Sequence, residues 1–418
     1  MQRRVRVLVV DDSVVVRRIV TDVLSGDPAL EVVGTAPNGR VALDKLAQLS
    51  PDAMTLDIEM PVMDGLQTLL EVRRVDRRLP VVMFSTLTER GASATLEALS
   101  NGASDYVTKP ANVGSVAESM ESVRAQLIPK IKALVPWFSE AAAPAAAPAA
   151  APAAAPVPAR PAAPVAVRTR SGAPGTPRAL VIGSSTGGPE ALAAVLAKLP
   201  ASLPVPVLVT QHMPPVFTRL YAQRLDKATA LTVVEAADGQ AVVPGTVYIA
   251  PGDFHMEVVR RGAGLAVKLH QGPPENFCRP AVDVMVRSAV SVFGGDLLAV
   301  VLTGMGSDGK LSCKAVAEAG GQVVVQDEAT SVVWGMPGAV AREGVADEVL
   351  PLGAIPDAIV RRLGARAGSP VPAAARTAPG RALPPLPPAS SFTSRAAATP
   401  SPARPPATRP TAPAVRTP

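Results

Sequence analysis

Short apolar runs, each followed by a stretch with apolar residues at helical spacing, constrain this chain more than any other feature. In residues 1–130 the runs VRVLVVDD, EVVGTA, DAMTLDI, PVVMFST and DYVTK read as five strands. Stretches such as VVVRRIVTDVL and GRVALDKLAQL lie between them. Strands alternating with amphipathic helices predict a parallel sheet covered by helices on both faces. A second block of the same kind spans residues 178–364, with RALVIGSS, VPVLVTQH, GTVYIAP, LAVKLHQ, LLAVVLTG and GQVVVQD as candidate strands. The expected fold class is therefore α/β, with two doubly wound parallel-sheet domains.

What joins and follows these blocks cannot build a core. Residues 131–177 are rich in Ala and Pro, with AAAP units that put a proline at every fourth position and so break any helix. Residues 365–418 are Pro, Ala, Ser, Thr and Arg. Both segments carry too little large apolar surface to offset ordering entropy, so a disordered linker and a disordered tail are expected.

The net charge of +6 invites a nucleic-acid reading, but its location speaks against one. The tail alone holds seven arginines and no acidic residue, which leaves the rest of the chain at −1. No nucleic-acid partner is expected. Cys278 and Cys313 form neither a disulfide framework nor a metal-type spacing, which suits a reducing compartment. No signal-peptide pattern opens the chain, and the uncharged stretch 141–159 is only weakly apolar and proline-broken. A soluble, cytoplasmic protein is the expectation.

In the first block, Asp11 and Asp12 end the first strand, Asp57 the third and Lys109 the fifth. All strand C-termini of a parallel doubly wound sheet open on one edge, where ligands bind. Three carboxylates gathered there call for a hard divalent cation, for which Mg²⁺ fits. Lys109 can partner an incoming anion, and Ser85 can supply a hydroxyl to the same pocket. Helix-capping aspartates would explain any one of these residues, but not the set.

In the second block, Gly183-Ser184-Ser185-Thr186-Gly187 fits G-x-S-x-G on a strand-to-helix turn. The N–H groups of the following helix would face whatever sits on Ser185, as an oxyanion site requires. A glycine turn of this kind also suits phosphate binding or a plain tight connection. A nucleophilic serine needs a base and a group that orients the base. Of His212, His255 and His270, His212 lies just past an apolar strand, while the other two suit structural roles. Asp308 lies just past another strand, in a glycine-rich loop, and is the candidate orienting carboxylate.

The first block resembles response-regulator receiver domains in VVDDS, LDIEMPVMDG, MFST and YVTKP. The second resembles the protein-glutamate methylesterase domain of bacterial chemotaxis in IGSSTGG, QHMPP, YIAPGD, RPAVDVM and LTGMGSDG. The resemblance implies a flavodoxin-like receiver, a Rossmann-like methylesterase domain and phosphorylation of Asp57 by a chemotaxis histidine kinase. Mg²⁺ would sit on Asp12, Asp57 and the backbone carbonyl of Glu59, with Asp11 acting through water. Ser85 and Lys109 would contact the phosphoryl group. Tyr106 stands at the aromatic switch position, although a half-buried strand aromatic reads the same way.

For the second domain, the resemblance implies that Ser185 attacks methylated glutamates of methyl-accepting chemotaxis receptors at membrane-bound arrays. His212 would be the base and Asp308 its orienter, with oxyanion donors near Thr186 or Met305 and no cofactor. Glutamine deamidation uses the same acyl-enzyme. A receiver-gated scaffold, or a hydrolase of another sensory pathway, is the alternative. Cys278 stands where the family often has histidine, and a thiol nucleophile there is disfavoured because no histidine precedes it nearby. The long linker is expected to weaken receiver docking over the esterase site.

Overall fold

The computed structural model describes residues 3–109, 116–135, 137–138, 167–168 and 175–364. The expected disorder of the linker interior and of the tail lies outside these residues. The first domain alternates β1 (Val5–Val10), α1 (Val14–Ser25), β2 (Leu30–Ala36), α2 (Gly39–Leu49), β3 (Ala53–Asp57), α3 (Gly65–Val75), β4 (Val81–Ser85), α4 (Glu89–Ser100), β5 (Asp105–Thr108) and α5 (Val116–Leu134). The helix α5 thus runs four residues past position 130. Five parallel strands pair in the order β2-β1-β3-β4-β5. The order reverses between β1 and β3, so the crevice for a ligand opens beside Asp11 and Asp57. Both β3 and β4 are buried throughout, as largely apolar strands between two helical layers must be. Local signals agree: Asn38 caps α2, and Asp64 with Gln67 forms a capping box on α3.

The second domain contains β6 (Ala179–Ser184), α6 (Gly188–Leu196), β7 (Val207–Gln211), α7 (Phe217–Ala228), β8 (Thr232–Glu235), β9 (Thr246–Ile249), β10 (His255–Arg261) and β11 (Gly264–His270). There follow α8 (Val282–Phe293), β12 (Leu297–Val301), α9 (Lys310–Glu318), β13 (Gln322–Gln326), α10 (Met336–Arg342), β14 (Glu348–Leu350) and α11 (Ile355–Leu363). Seven parallel strands pair in the order β14-β13-β12-β6-β7-β9-β8. Here the order reverses between β6 and β12. Ser185 leaves the end of β6, His212 the end of the adjacent β7, and Asp308 the loop after β12.

The run LAVKLHQ does not join that sheet. It forms β11, which pairs with β10 in an antiparallel hairpin and bridges through Ala266 to Ala241. The connection Arg261–Gly264 explains the difference: it is a tight turn with Gly262 at φ 58°, whereas a parallel pairing needs a long crossover. His255 and His270 face each other in register across this hairpin, with ring centres 5.2 Å apart, and His255 Nδ1 accepts from Ala281 N at 3.3 Å.

The two domains are packed together through one continuous apolar cluster that includes Ala92, Leu96 and Tyr106 of the first and Phe217, Tyr221 and Leu225 of the second. Among the described residues, no helix is long and apolar enough to cross a membrane.

Candidate functional site

The pocket at the edge of the first sheet is lined by Asp12, Asp57, Ile58, Glu59, Ser85 and Lys109, among others. Asp11 and Asp57 are buried, while Asp12 is exposed. Lys109 Nζ stands 2.9 Å from Asp11 Oδ2 and 2.8 Å from Asp57 Oδ2. Neither oxygen receives a well-directed hydrogen bond, so the pairing is one of charge. Burial, and then the neighbouring Asp11, push the Asp57 carboxyl up to about 6. Burial likewise raises Asp11. The two carboxylates hold Lys109 charged against the cost of its own burial. Ligand oxygens of Asp11, Asp12 and Asp57 can lie within 4.8 Å of one another, a spacing and donor set that suit a hard divalent cation. The site residues read from the sequence therefore do converge here, with Ser85 buried at the pocket wall.

The second site begins with a turn that only glycine allows. Gly187 has φ 72°, and a Cβ on Gly188 would stand 2.1 Å from Gln211 Oε1. Gln211 brackets the turn: its Oε1 accepts from Ser184 Oγ at 2.6 Å, and its Nε2 donates to Ser185 O at 3.0 Å. Register pairs Ser184 with Gln211, and His212 N donates to Ser184 O at 3.1 Å, so serine and histidine leave neighbouring strands side by side. The Ser185 amide is committed to Thr303 O at 3.0 Å, which leaves the N–H groups beyond it as oxyanion candidates.

His212 Nε2 lies 2.8 Å from Asp308 Oδ2. Asp308 is buried and accepts from Val282 N (2.7 Å), Asp283 N (3.0 Å), Gly309 N (2.9 Å) and Asn276 Nδ2 (2.9 Å). Two of those donors are the first amides of α8, whose positive end favours a carboxylate. Burial alone would raise the Asp308 carboxyl, but His212 and these amides hold it below its ordinary value. Burial opposes charge on His212 too, yet Asp308 and then Cys278 raise the imidazole above its ordinary range. The other ring nitrogen, Nδ1, meets Cys278 Sγ at 3.4 Å. Cys278 therefore does have a histidine beside it, one that arrives from β7 and not from its own segment.

Residues of the first domain reach this site. Thr186 Oγ1 donates to Asp105 Oδ2 at 2.7 Å, and Lys130 Nζ lies 3.0 Å from Asp105 Oδ1. Tyr106 stacks on Phe217 with ring centres 4.9 Å apart and planes 7° from parallel. Met305 packs against an apolar cluster made of first-domain residues and Val333 of the second domain. Arg219 pairs with Glu89, and Arg224 Nη1 donates to Leu96 O at 2.6 Å. Sequence reasoning missed Asp105, Gln211, Asn276 and Phe217. Only Gln211 carried a local signal, as the last residue of the strand that delivers His212.

A five-stranded domain with an acidic phosphoacceptor-type pocket, packed on a second doubly wound domain, defines the class: a response regulator with an α/β output domain. A response regulator receiver domain model matches residues 7–121, and a CheB methylesterase model matches residues 180–359. A protein-glutamate methylesterase/protein-glutamine glutaminase of Nocardioides sp. is 58% identical over 376 residues, covering 89% of this chain and 99% of that protein. One of Trichodesmium erythraeum bearing the same name is 47% identical, covering 86% of this chain and 99% of its own length. The crystal structure of the Thermotoga maritima CheB methylesterase catalytic domain is 45% identical, covering 44% of this chain and 98% of that one, with a TM-score of 0.44. The chain belongs to the protein-glutamate methylesterase/protein-glutamine glutaminase family.

Proposed function

We propose that this chain hydrolyses methyl esters of glutamate side chains on methyl-accepting chemotaxis receptors under control of its receiver, and deamidates receptor glutamines at the same site. The observation that carries this reading is the His212–Asp308 pair, set at 2.8 Å beside the Ser185 turn on one sheet edge. Because Asp308 accepts from Nε2, the neutral ring carries its proton there and leaves Nδ1 free to take one. His212 Nδ1 takes the Ser185 hydroxyl proton as Oγ attacks the γ-carbonyl carbon. The tetrahedral oxyanion forms where amides beyond Ser185, near Thr186 and Met305, can donate to it. His212 returns the proton to the departing methoxide, which leaves as methanol. Water, deprotonated by the same nitrogen, then attacks the acyl-enzyme and frees the carboxylate. With glutamine as substrate, ammonia leaves instead.

On the receiver, Asp57 accepts a phosphoryl group from a histidine kinase of the same pathway. Asp11, Asp12, Asp57 and the Glu59 carbonyl would hold Mg²⁺, which when bound neutralises charge on the transferring phosphoryl group. Ser85 and Lys109 contact that group. Docking of Asp105 on Thr186 and of Tyr106 on Phe217 restrains the esterase until phosphorylation biases the receiver away from it. Such a protein acts in the cytoplasm at receptor arrays. The test is methanol release from methylated receptor membranes with and without a phosphodonor. Asp57→Ala should keep basal release and lose the stimulation; stimulation intact in that variant would refute the switch assignment.

A further inference from the structure

The loop Glu275–Arg279 touches both members of the His212–Asp308 pair, and its backbone is held so that it must. Glu275 and Cys278 exchange backbone hydrogen bonds of 3.0 and 2.9 Å. Glu275 is gripped by both terminal nitrogens of Arg287, at 2.5 and 2.7 Å, and Arg279 Nε donates to Asp253 at 3.0 Å. Between these anchors Asn276 and Phe277 both adopt left-handed backbone, with φ of 52° and 62°, an arrangement that costs free energy in residues with a Cβ. The result is a sharp turn that leaves Phe277 fully exposed while the side chains of both its neighbours bond to the His212–Asp308 pair. Asn276 Nδ2 donates to Asp308 Oδ1 at 2.9 Å and to Asp283 Oδ2 at 3.0 Å. Cys278 Sγ meets His212 Nδ1 at 3.4 Å.

The contact at Nδ1 has a consequence for the reaction. Asp308 occupies Nε2, so Nδ1 is the nitrogen that must receive the Ser185 proton. A neutral imidazole offers a lone pair there, and a thiol is a weak donor to it. We propose that Cys278 is a positioning residue of the hydrolytic site. Its thiol donates to His212 Nδ1 between turnovers, holds the ring in line with Asp308 by the face that Ser185 will use, and yields to the serine hydroxyl when substrate engages. A weak donor suits this duty, because a stronger one would compete with the serine it has to make way for. The inference rests on the reading of His212 as the base and adds a residue to it.

Two kinds of measurement test it on the full chain. Cys278→Ala should lower kcat about fivefold with KM unchanged, the size of one lost weak hydrogen bond. Cys278→Ser, which restores a donor, should recover part of that loss. The second measurement needs no turnover. The protein has two cysteines, and Cys313 is fully buried with its thiol pushed far above the usual range by burial, so iodoacetamide reports on Cys278 alone. In Ser185→Ala protein at neutral pH, the alkylation rate of Cys278 should change about tenfold when His212 is also changed to Gln, because the thiol loses the imidazole it bonds to. An unchanged alkylation rate, or wild-type kcat in Cys278→Ala, would overturn the proposal. Methanol release that survives in Ser185→Ala but vanishes in Cys278→Ala would make the cysteine the nucleophile, and would refute the serine reading as well.

Discussion

Thr186, the residue after the candidate nucleophile, donates its hydroxyl proton to Asp105 on the receiver's last strand across 2.7 Å. Both side chains are buried, and Asp105 is also held by Lys130. The receiver thus touches the serine turn itself, one residue from Ser185.

If that bond restrains the esterase, Asp105→Ala should raise the rate without phosphodonor. Hydrogen bonds to charged groups contribute about 1.5–3 kcal/mol, so a rise of about tenfold is expected from partial release of the docked state. Basal methanol release from receptor membranes measures it. A folded variant with an unchanged basal rate would show that the contact carries no inhibition.

The stack of Tyr106 on Phe217 gives a second handle. Phe217→Leu keeps apolar volume but removes the ring pair, whose worth beyond burial is about 0.5–1.5 kcal/mol. Basal release should rise a few-fold with a small loss of thermal stability. A large drop in stability without a rate change would mark the pair as packing alone.

How much of this was legible beforehand follows from where each interaction lives. Asp11, Asp57 and Lys109 could be placed together because strand ends of a parallel sheet converge by geometry, and the runs that precede them are unmistakable. Ser185, His212 and Asp308 follow from the same rule applied to β6, β7 and β12. Asp105 and Phe217 could not be found, since their partners lie 81 residues away on Thr186 and 111 residues away on Tyr106. Asn276 was equally hidden, because a loop with two left-handed residues leaves no periodic pattern, and for the same reason Cys278 could be singled out but its contact with His212 could not be foreseen. The run LAVKLHQ misled for the opposite reason: its apolar alternation is that of a strand, but only the turn before it reveals an antiparallel partner.

The pH dependence should carry the mark of Asp308. His212 must be neutral to act as base, so kcat/KM falls as pH drops through its pKa. The bonds to Asp308 and Cys278 raise that pKa despite burial, which places the acidic limb above the ordinary imidazole value. Asp308→Asn should shift the limb to lower pH and cut the plateau by about a hundredfold or more. A limb that stays in place would argue that another group titrates there.

At the first pocket, burial beside Asp11 makes a charged Asp57 costly, and a divalent cation should relieve that cost. Added Mg²⁺ at about a hundred times its Kd should stabilise the receiver by about 2.7 kcal/mol in thermal melts. Asp57→Asn should be more stable than wild type without metal and should gain less from it. An equal gain in both proteins would place the cation elsewhere.

Close packing behind the serine turn offers a purely steric test. A Cβ on Gly304 would stand 2.4 Å from Met336 Sδ and 2.9 Å from Ser185 Cβ. Gly304→Ala should displace Ser185 and lower activity about a hundredfold, in keeping with the steep cost of misplacing a reacting group. Activity near wild type would mean that the turn accommodates the methyl group.

The role of Ser185 is tested most directly by methanol release from methylated receptor membranes, measured for wild type and Ser185→Ala with phosphodonor present. Wild type should release methanol and the variant none above background. Release by the variant at the wild-type rate would contradict the assignment of Ser185 as nucleophile.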